Sequence, residues 1–302
     1  MRTSKRMGLT TMGNKNKVDL HTHSTYSDGS FTPAEIVQSA CDIGLRAVAL
    51  TDHDTVGGVG EALLASAGLG GQISVIPGVE ISADYPYQLH ILGYFHPDGY
   101  RAIDGFLSEM GRERHLRNLA VIQKLNECGI KITASEVEEI AGKEVFGRPH
   151  IAAALVKKGV AGTLASAFSE YLADGRKAFV EKKSLPPNEC VAAIDGAGGL
   201  PVIAHPSLTG LRLGELKRLA AGLIKSGLFG IEAYYPDHTK GETANYVQLA
   251  GDLDLLATGG SDFHGEYRKY ARLGVGSGSL RVPDSVPDII MGELGRRLKK
   301  SK

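Results

Sequence analysis

The sequence predicts an α/β fold with a parallel sheet or barrel and a helical insertion. Short apolar runs typical of buried strands alternate with segments of helical periodicity over residues 18–97, and this alternation resumes over residues 180–302. Between these two parts, residues 98–179 have helical periodicity and no good strand, so we expect a helical insertion over the mouth of the barrel. The 302 residues are enough for one large domain with such an insertion.

Charge and composition narrow the class of protein. Acidic and basic residues number 34 each, so no global field indicates nucleic acid or a membrane as the partner. No apolar run is long enough to span a bilayer, and the basic residues 1–17 lack the apolar centre of a secretory signal, which predicts a mobile tail. The three cysteines are far apart, which predicts reduced thiols in a cytoplasmic protein. For the basic residues 295–302 a solvated helix end is favoured over an RNA contact.

Four strands are predicted in the first part of the chain. Residues 18–20, 47–50, 74–79 and 89–94 are apolar runs of strand length. Between the first two, Thr32, Pro33 and Glu35 have the spacing of an N-cap, a first helical residue and a capping box, so a helix begins there. A second helix is predicted over residues 60–67.

Helices dominate the centre of the chain, and strands return after it. One long helix or two are predicted over residues 102–128, followed by a helix capped by Thr133 and by helices over residues 149–158 and 164–173. The third part is predicted to contain helices over residues 187–197, 213–225 and 242–249, which alternate with strands over residues 201–204, 230–235 and 254–260.

Histidines and carboxylates stand where predicted strands end. His21 and His23 are two residues apart and therefore point to the same side of an extended chain, and a turn at Ser27 and Gly29 could return the Asp28 carboxylate to them. Further along the chain, strands lead to His53, to Glu80, to His205, and to Asp262 and His264. Because the carboxyl ends of the strands of a β/α barrel converge on one face, we expect these side chains to meet.

These groups are more numerous than one ion requires. Two or three ions that share a bridging carboxylate are therefore predicted, with Glu80 as the bridge. Imidazole and carboxylate ligands suit Mn, Fe or Zn, and the sequence does not decide among them. Neighbouring divalent ions indicate hydrolysis of phosphate esters by metal-bound hydroxide. The sequence contains no serine or cysteine motif that would indicate a side-chain nucleophile instead.

Taken together, the motifs resemble those of the polymerase-and-histidinol-phosphatase (PHP) superfamily. They are residues 20–29, residues 51–54, residues 77–80, residues 204–206 and residues 260–264, and the similarity extends from residue 18 to about residue 278. The resemblance implies a distorted seven-stranded PHP barrel and divalent ions, three in number, with Mn favoured. The implied ligands are His21, His23, Asp28, His53, Glu80, His90, His205, Asp262 and His264. None of the nine is replaced, which implies an active member.

The central segment refines this resemblance. Residues 147–152, with Arg148 and His150, are similar to a segment of PHP members that act on nucleotides and RNA 5′ ends. The resemblance implies that Arg148 and His150 contact phosphate, and chemistry agrees, since a guanidinium grips phosphate in a fork and an imidazole can protonate a leaving oxygen. The alternative is a capped helix start with a surface salt bridge. The implied reactions are hydrolysis of 3′,5′-bisphosphonucleotides or AMP-like compounds and 5′-to-3′ cleavage of short RNA.

Other functions stay open at this point. Histidinol phosphate is a rival substrate, and a non-catalytic PHP module that binds nucleic acid or a polymerase is a rival of another class. The predicted partners are a nucleotide or short RNA, with no membrane and no obligatory protein partner.

Several further residues have two interpretations each. Asp52 and Asp54 either orient His53 or cap the next helix. His96, His115 and His238 are interpreted as ordinary surface or loop histidines. Arg268, near Tyr267 and Tyr270 just past the last ligand motif, could hold substrate, although this is not the favoured interpretation. The glycines of residues 57–60 lack the lysine of a phosphate-binding P-loop.

Overall fold

A single sheet organises the protein. The computed structural model describes residues 17–141, 147–181, 185–278 and 280–300. Within these residues seven strands follow one another in chain order across the sheet. They are β1 (Val18–Asp19), β2 (Ala47–Leu50), β3 (Ser74–Ser82), β4 (His90–Tyr94), β5 (Leu200–Ile203), β6 (Gly230–Tyr234) and β7 (Leu256–Gly259). The mobile tail predicted for residues 1–17 lies outside the described residues, apart from Lys17.

The direction of one strand differs from the rest. β4 runs antiparallel to both of its neighbours, β3 and β5, whereas the other neighbouring pairs are parallel. The predicted parallel sheet is therefore correct for six strands and wrong for β4. Only seven residues, 83–89, separate β3 from β4. This connection is too short for a parallel crossover, which requires about a dozen residues or more.

The two ends of the sheet come together and nearly close a barrel. The Leu20 amide donates to the Gly259 carbonyl over 3.2 Å, and Thr22 pairs in parallel with Phe263 just beyond β7. Gly260 allows this approach, because a Cβ at this position would lie 2.3 Å from the amide nitrogen of His21. The predicted distorted seven-stranded barrel is confirmed.

Ten α-helices lie in the described parts of the chain. They are α1 (Pro33–Asp42), α2 (Val59–Gly68), α3 (Asp104–Glu127), α4 (Ala134–Ala141), α5 (Arg148–Lys157), α6 (Leu164–Ala167), α7 (Pro187–Gly196), α8 (Leu213–Ile224), α9 (Lys240–Asp252) and α10 (Val286–Lys300). The capping box predicted at Thr32 and Glu35 is confirmed at the start of α1. The helix predicted over residues 102–128 is the single helix α3. Among the described helices, none combines the length and the apolar character needed to cross a membrane.

Strand residues alternate between the barrel interior and the layer under the helices. Val48 and Leu50 belong to the cluster beneath the outer helices, whereas Ala49 between them belongs to the interior cluster. Ile290 and Leu294 of α10 join the same interior cluster. The basic C-terminal helix thus has an apolar side that packs on the barrel, beside the solvated end that the sequence predicts.

The central helices have a hydrophobic core of their own. Val121 and Leu125 of α3 pack there with Ile151 and Leu155 of α5, whereas Leu107, at the start of α3, belongs to the core of the barrel. α3 therefore leaves the barrel and enters the second core within one helix. This arrangement supports the predicted insertion of residues 98–179, which stays a prediction as a domain division.

Candidate metal centre

All nine predicted ligands lie at one edge of the barrel. Glu80 is buried at the centre of the group, and its carboxylate oxygens face ring nitrogens of five histidines. The distances are 3.3 Å to His21 Nε2, 3.2 Å to His23 Nε2, 3.3 Å to His53 Nδ1, 2.9 Å to His90 Nδ1 and 2.8 Å to His205 Nε2. Glu80 therefore lies at the centre of the ligand atoms, which is the position that the predicted bridging role requires; the bridging itself stays a prediction.

The position of His90 follows from the direction of β4. His90 is the first residue of this antiparallel strand, and it pairs with Ser82 at the last position of β3. The start of an antiparallel strand lies at the edge where its parallel neighbours end. His90 thus joins the ligands that follow β1, β2, β5 and β7, although it precedes its own strand.

Two further carboxylates complete the cluster. Asp262 Oδ1 lies 3.5 Å from His21 Nε2 and 3.3 Å from His23 Nε2. Asp28 Oδ1 lies 3.6 Å from His23 Nδ1 and 3.3 Å from His264 Nε2. The ligand atoms form four groups, in each of which they lie within 4.8 Å of one another: His23 with Asp28, His53 and His264; His21 with Glu80 and His205; His21 with His23 and Asp262; and His53 with Glu80 and His90.

The arrangement of these atoms fits divalent cations. His21 Nε2 and His23 Nε2 are 3.1 Å apart, so the two nitrogens cannot both carry a proton. His53 Nδ1 and His205 Nδ1 are buried without a hydrogen-bond partner in the described residues. Burial lowers the pKa of His53 to about 3, which keeps its ring neutral and able to bind a metal. Buried lone pairs and carboxylates that converge in this way are stabilised by a cation.

Comparison with known proteins agrees with this geometry. The PHP domain profile matches residues 19–172, more than half of the chain. The chain belongs to the PHP family. A solved structure from Bifidobacterium adolescentis, described as a metal-dependent phosphoesterase, is 30% identical and superimposes with a TM-score of 0.70, covering 91% of this chain and 96% of that one.

Curated relatives of this PHP protein are hydrolytic enzymes. A 5′-3′ exoribonuclease of Haemophilus influenzae is 33% identical over 82% of this chain and 90% of its own. A phosphoribosyl 1,2-cyclic phosphate 1,2-diphosphodiesterase of Eggerthella lenta is 30% identical over 88% and 98%. A 3′,5′-nucleoside bisphosphate phosphatase of Chromobacterium violaceum is 31% identical over 82% and 87%. The PHP protein described here is likewise a metal-dependent phosphoesterase.

Two buried carboxylates beside the ligands were missed by the sequence analysis. Glu232 of β6 lies 3.0 Å from His21 Nδ1 and accepts the amide hydrogen of His205 over 2.7 Å. Asp19 of β1 accepts the amide hydrogens of Ser261 and Gly274 over 2.8 and 2.7 Å. Both side chains are buried in otherwise apolar strands, where a carboxylate requires polar partners. Such an acidic residue inside a buried strand is the signal that could have identified them.

The flanking residues of His53 have other roles than those predicted. The Asp52 carboxylate accepts hydrogen bonds from the Ser24 amide and the Ser24 and Ser27 hydroxyls, so it fixes the turn that precedes Asp28. Asp54 pairs with Arg114 of α3 and accepts the Ser82 amide hydrogen. Neither carboxylate caps α2, whose N-cap position is Gly58.

His238 lies in the loop between β6 and α9, as the prediction of a surface or loop histidine allows, but it is not at the surface. Its side chain is buried, its Nδ1 lies 2.9 Å from the Ala233 carbonyl oxygen, and its ring contacts Tyr235 and Tyr246. The Tyr235 hydroxyl in turn donates to Asp262 Oδ2 over 2.8 Å. His238 therefore packs behind a tyrosine that holds a ligand carboxylate.

Of the two predicted phosphate-binding residues, Arg148 lines a second cavity beside the metal ligands, and His150 lines neither cavity. A cavity of about 290 Å³ is lined by seven of the nine ligands, all except His21 and His23, and also by Gln88, Tyr267 and Arg268. A neighbouring cavity of about 490 Å³ is lined by Arg148 and Arg117, and the two cavities share Gln88 and His90. Arg148 is the first residue of α5, and His150 Nδ1 accepts the Gly147 amide hydrogen at the start of that helix over 3.1 Å. His150 thus has the capping contact of the alternative interpretation.

Proposed function

We propose that this PHP phosphoesterase hydrolyses phosphate esters of nucleotides, namely 3′,5′-bisphosphonucleotides, AMP-like compounds and the 5′ ends of short RNA. The observation that supports this proposal is the cluster of ligands around Glu80, which lines a cavity that shares Gln88 and His90 with the cavity of Arg148. The activities named for the Haemophilus influenzae and Chromobacterium violaceum relatives point in the same direction.

The proposed cofactors are three divalent cations, with Mn favoured. The nine ligands would hold them, and Glu80, His21, His23 and His53 each belong to more than one of the four ligand groups. Bound cations supply activation of the attacking water and neutralise charge on the phosphate oxygens.

Arg148 and His150 are proposed to hold the phosphate of the nucleotide. Arg148 lines the cavity that shares Gln88 and His90 with the metal ligands, so its guanidinium can reach a substrate that enters both cavities. Because His150 Nδ1 accepts a hydrogen bond from Gly147, a neutral His150 ring carries its proton on Nε2. The proposal assigns that proton to a phosphate or leaving oxygen of the substrate.

The test is turnover on a panel of substrates with manganese-loaded protein, together with metal analysis of the same sample. The panel contains 3′,5′-bisphosphoadenosine, AMP, a 5′-phosphorylated oligoribonucleotide, a cyclic phosphodiester and histidinol phosphate. Release of phosphate or mononucleotide from the nucleotides is expected. Activity confined to histidinol phosphate would assign the protein to that substrate instead, and oligonucleotide binding without turnover would favour the non-catalytic module.

Arg148→Met gives a sharper test of the phosphate contact. Loss of a charge-assisted hydrogen bond should raise KM for the nucleotides about 10- to 100-fold, with a smaller effect on kcat. Arg218→Met, at an exposed position on α8, is the matched control and should leave both constants near their wild-type values. If the two variants had the same KM and kcat, Arg148 would not contact the phosphate as proposed.

A further inference from the structure

A short segment with two exposed aromatic rings follows the last metal ligand. We name residues 267–270, Tyr267, Arg268, Lys269 and Tyr270, the downstream rim. The Tyr267 side chain is 69% exposed and that of Tyr270 is 53% exposed, and Lys269 between them is also exposed. Large exposed aromatic side chains are costly in water, so two of them within four residues suggest a binding surface.

The rim is attached to the metal centre. The Arg268 guanidinium donates to the Asp262 carboxylate, which is one of the nine ligands, and its central carbon lies 5.9 Å from the centre of the Tyr270 ring. Tyr267 and Arg268 line the same cavity as the ligands. The rim is therefore linked to a ligand through Arg268, and Tyr267 lies at the cavity that the ligands line.

The rim and the insertion lie on opposite sides of that cavity. The rim follows β7, whereas Gln88 and His90, which lead to the cavity of Arg148, lie at the start of β4. In a nearly closed ring of seven strands in chain order, β4 is three strands from β7 in one direction and four in the other. A substrate centred on the metals can therefore extend toward Arg148 on one side and toward the rim on the other.

We propose that the downstream rim is a subsite for the nucleotide on the 3′ side of the scissile phosphate in single-stranded RNA. The proposal rests on the proposed function, in which the scissile phosphate lies at the metals and the 5′ nucleotide lies toward Arg148. A base of the next nucleotide stacks on Tyr267 or Tyr270, and Arg268 and Lys269 face its phosphate. Aromatic rings combined with cations bind single strands with little sequence preference, because every base presents a flat face.

The chain offers a direct optical test, because it contains no tryptophan. Tyr267→Trp introduces a single tryptophan at the rim, which can be excited separately from the tyrosines, and stacking of a base should quench its emission. We expect quenching when manganese-loaded protein is mixed in stopped flow with a 5′-phosphorylated trinucleotide, in the phase that precedes turnover. Bisphosphoadenosine, which has no nucleotide on the 3′ side, should give much weaker quenching.

A matched control places the fluorophore far from the cavity. Ile224 is 38% exposed at the end of α8, and this helix returns from the metal edge toward the start of β6. Ile224→Trp should show no trinucleotide-dependent quenching. Equal quenching of the two reporters, or equal quenching of the rim reporter by both ligands, would overturn the proposal.

Kinetics separate the rim from the rest of the site. The double variant Tyr267→Ala with Tyr270→Ala should raise KM for the trinucleotide about 5- to 100-fold, given the usual contribution of base stacking, and should change KM for bisphosphoadenosine much less. Phenylalanine at both positions should restore the trinucleotide KM, since a phenyl ring also stacks. Equal effects on both substrates would contradict a 3′ subsite. If the wild-type protein hydrolyses neither substrate, the proposed function fails, and the fluorescence titration still decides whether RNA binds the rim.

Discussion

At the scale of single residues, the charge of Glu80 governs the centre. Burial, the largest influence, acts to raise the pKa of Glu80, but electrostatic interactions with the surrounding imidazoles and a hydrogen bond to His205 outweigh it and hold that pKa well below its ordinary value. The carboxylate therefore stays ionised among the histidine rings. In the absence of a cation, a protonated His23 ring balances part of this charge.

Metal binding should therefore release protons. Burial acts to lower the pKa of His23, but hydrogen bonds to Asp262 and Glu80 raise it to about 10, so the metal-free ring is protonated at pH 7. A cation must displace this proton, and manganese affinity should increase as the pH rises from about 6.5 toward 10. Calorimetric titration of chelator-treated protein, in buffers of different ionisation enthalpy, measures both effects. A binding enthalpy independent of the buffer would contradict the expectation.

Glu232 is expected to position ligands without touching a cation. Glu232→Gln keeps the shape of the side chain but removes the charge that faces His21 Nδ1 and the His205 amide. Loss of such a partner typically weakens metal binding about 10- to 100-fold. The metal dissociation constant, determined by competition with a chelating dye, provides the measurement. Glu189→Gln, at an exposed position on α7, is the control and should bind metal with the affinity of the wild type. An unchanged affinity of Glu232→Gln would mean that Glu232 does not position the ligands.

The ligands could be predicted from sequence because most of them follow a strand directly. Strand ends are visible in the apolar pattern, and the barrel brings them together whatever the details of packing. Glu232 and Asp19 were not predicted because each belongs to a strand and contacts a residue more than 200 positions away in the sequence, namely His21 and Ser261. Such contacts form only when the barrel closes, so no short motif in the sequence indicates them.

At the scale of elements, the antiparallel strand β4 is the main difference from the sequence-based expectation. An apolar run has the same pattern whichever way the strand points, so periodicity alone does not give its direction. The length of the preceding loop does contain that information, since residues 83–89 cannot span a parallel crossover. Considering this length would have predicted the direction of β4 and thereby the position of His90 at the metal edge.

The approach of β7 to β1 depends on Gly260. A Cβ there would lie within 2.4 Å of both the backbone nitrogen and the Cβ of His21, and neither atom is the end of a flexible side chain. Gly260→Ala should therefore displace the His21 segment and destabilise the fold by about 1–3 kcal/mol, the usual cost of overpacking. It should also weaken metal binding.

A matched glycine substitution serves as the control. A Cβ at Gly68, the last residue of α2, meets no atom within 4 Å. Gly68→Ala should therefore leave stability equal or slightly higher, because alanine is the better helix former. Urea unfolding of both variants, with metal content measured in parallel, compares them. If the Gly260 variant were as stable and bound as much metal as the Gly68 variant, the segments after β1 and β7 could move apart at no cost in stability, and the expectation would be wrong.

At the scale of the whole molecule, the metal ligands join parts of the chain that are distant in sequence. One ligand group combines His21 and His23, which follow β1, with Asp262, which follows β7. A cation bound by this group would link the first strand of the barrel to the last. The core of the central helices, which contains Val121 and Ile151, includes none of the nine ligands. Cations should therefore stabilise the barrel more than the central helices.

Removal of metal should lower the unfolding temperature of the protein. A ligand present at 100 times its dissociation constant stabilises the folded state by about 2.7 kcal/mol, which corresponds to a shift of about 4 °C for a chain of 302 residues. Thermal unfolding of chelator-treated and manganese-loaded protein measures the shift, and Glu80→Gln should reduce it because the variant lacks the shared carboxylate. Hydrogen exchange should show the gain in protection in peptides that contain β1 and β7, with little change in α4. Identical unfolding temperatures with and without metal, or protection gained equally in α4, would show that the cations do not hold the barrel closed.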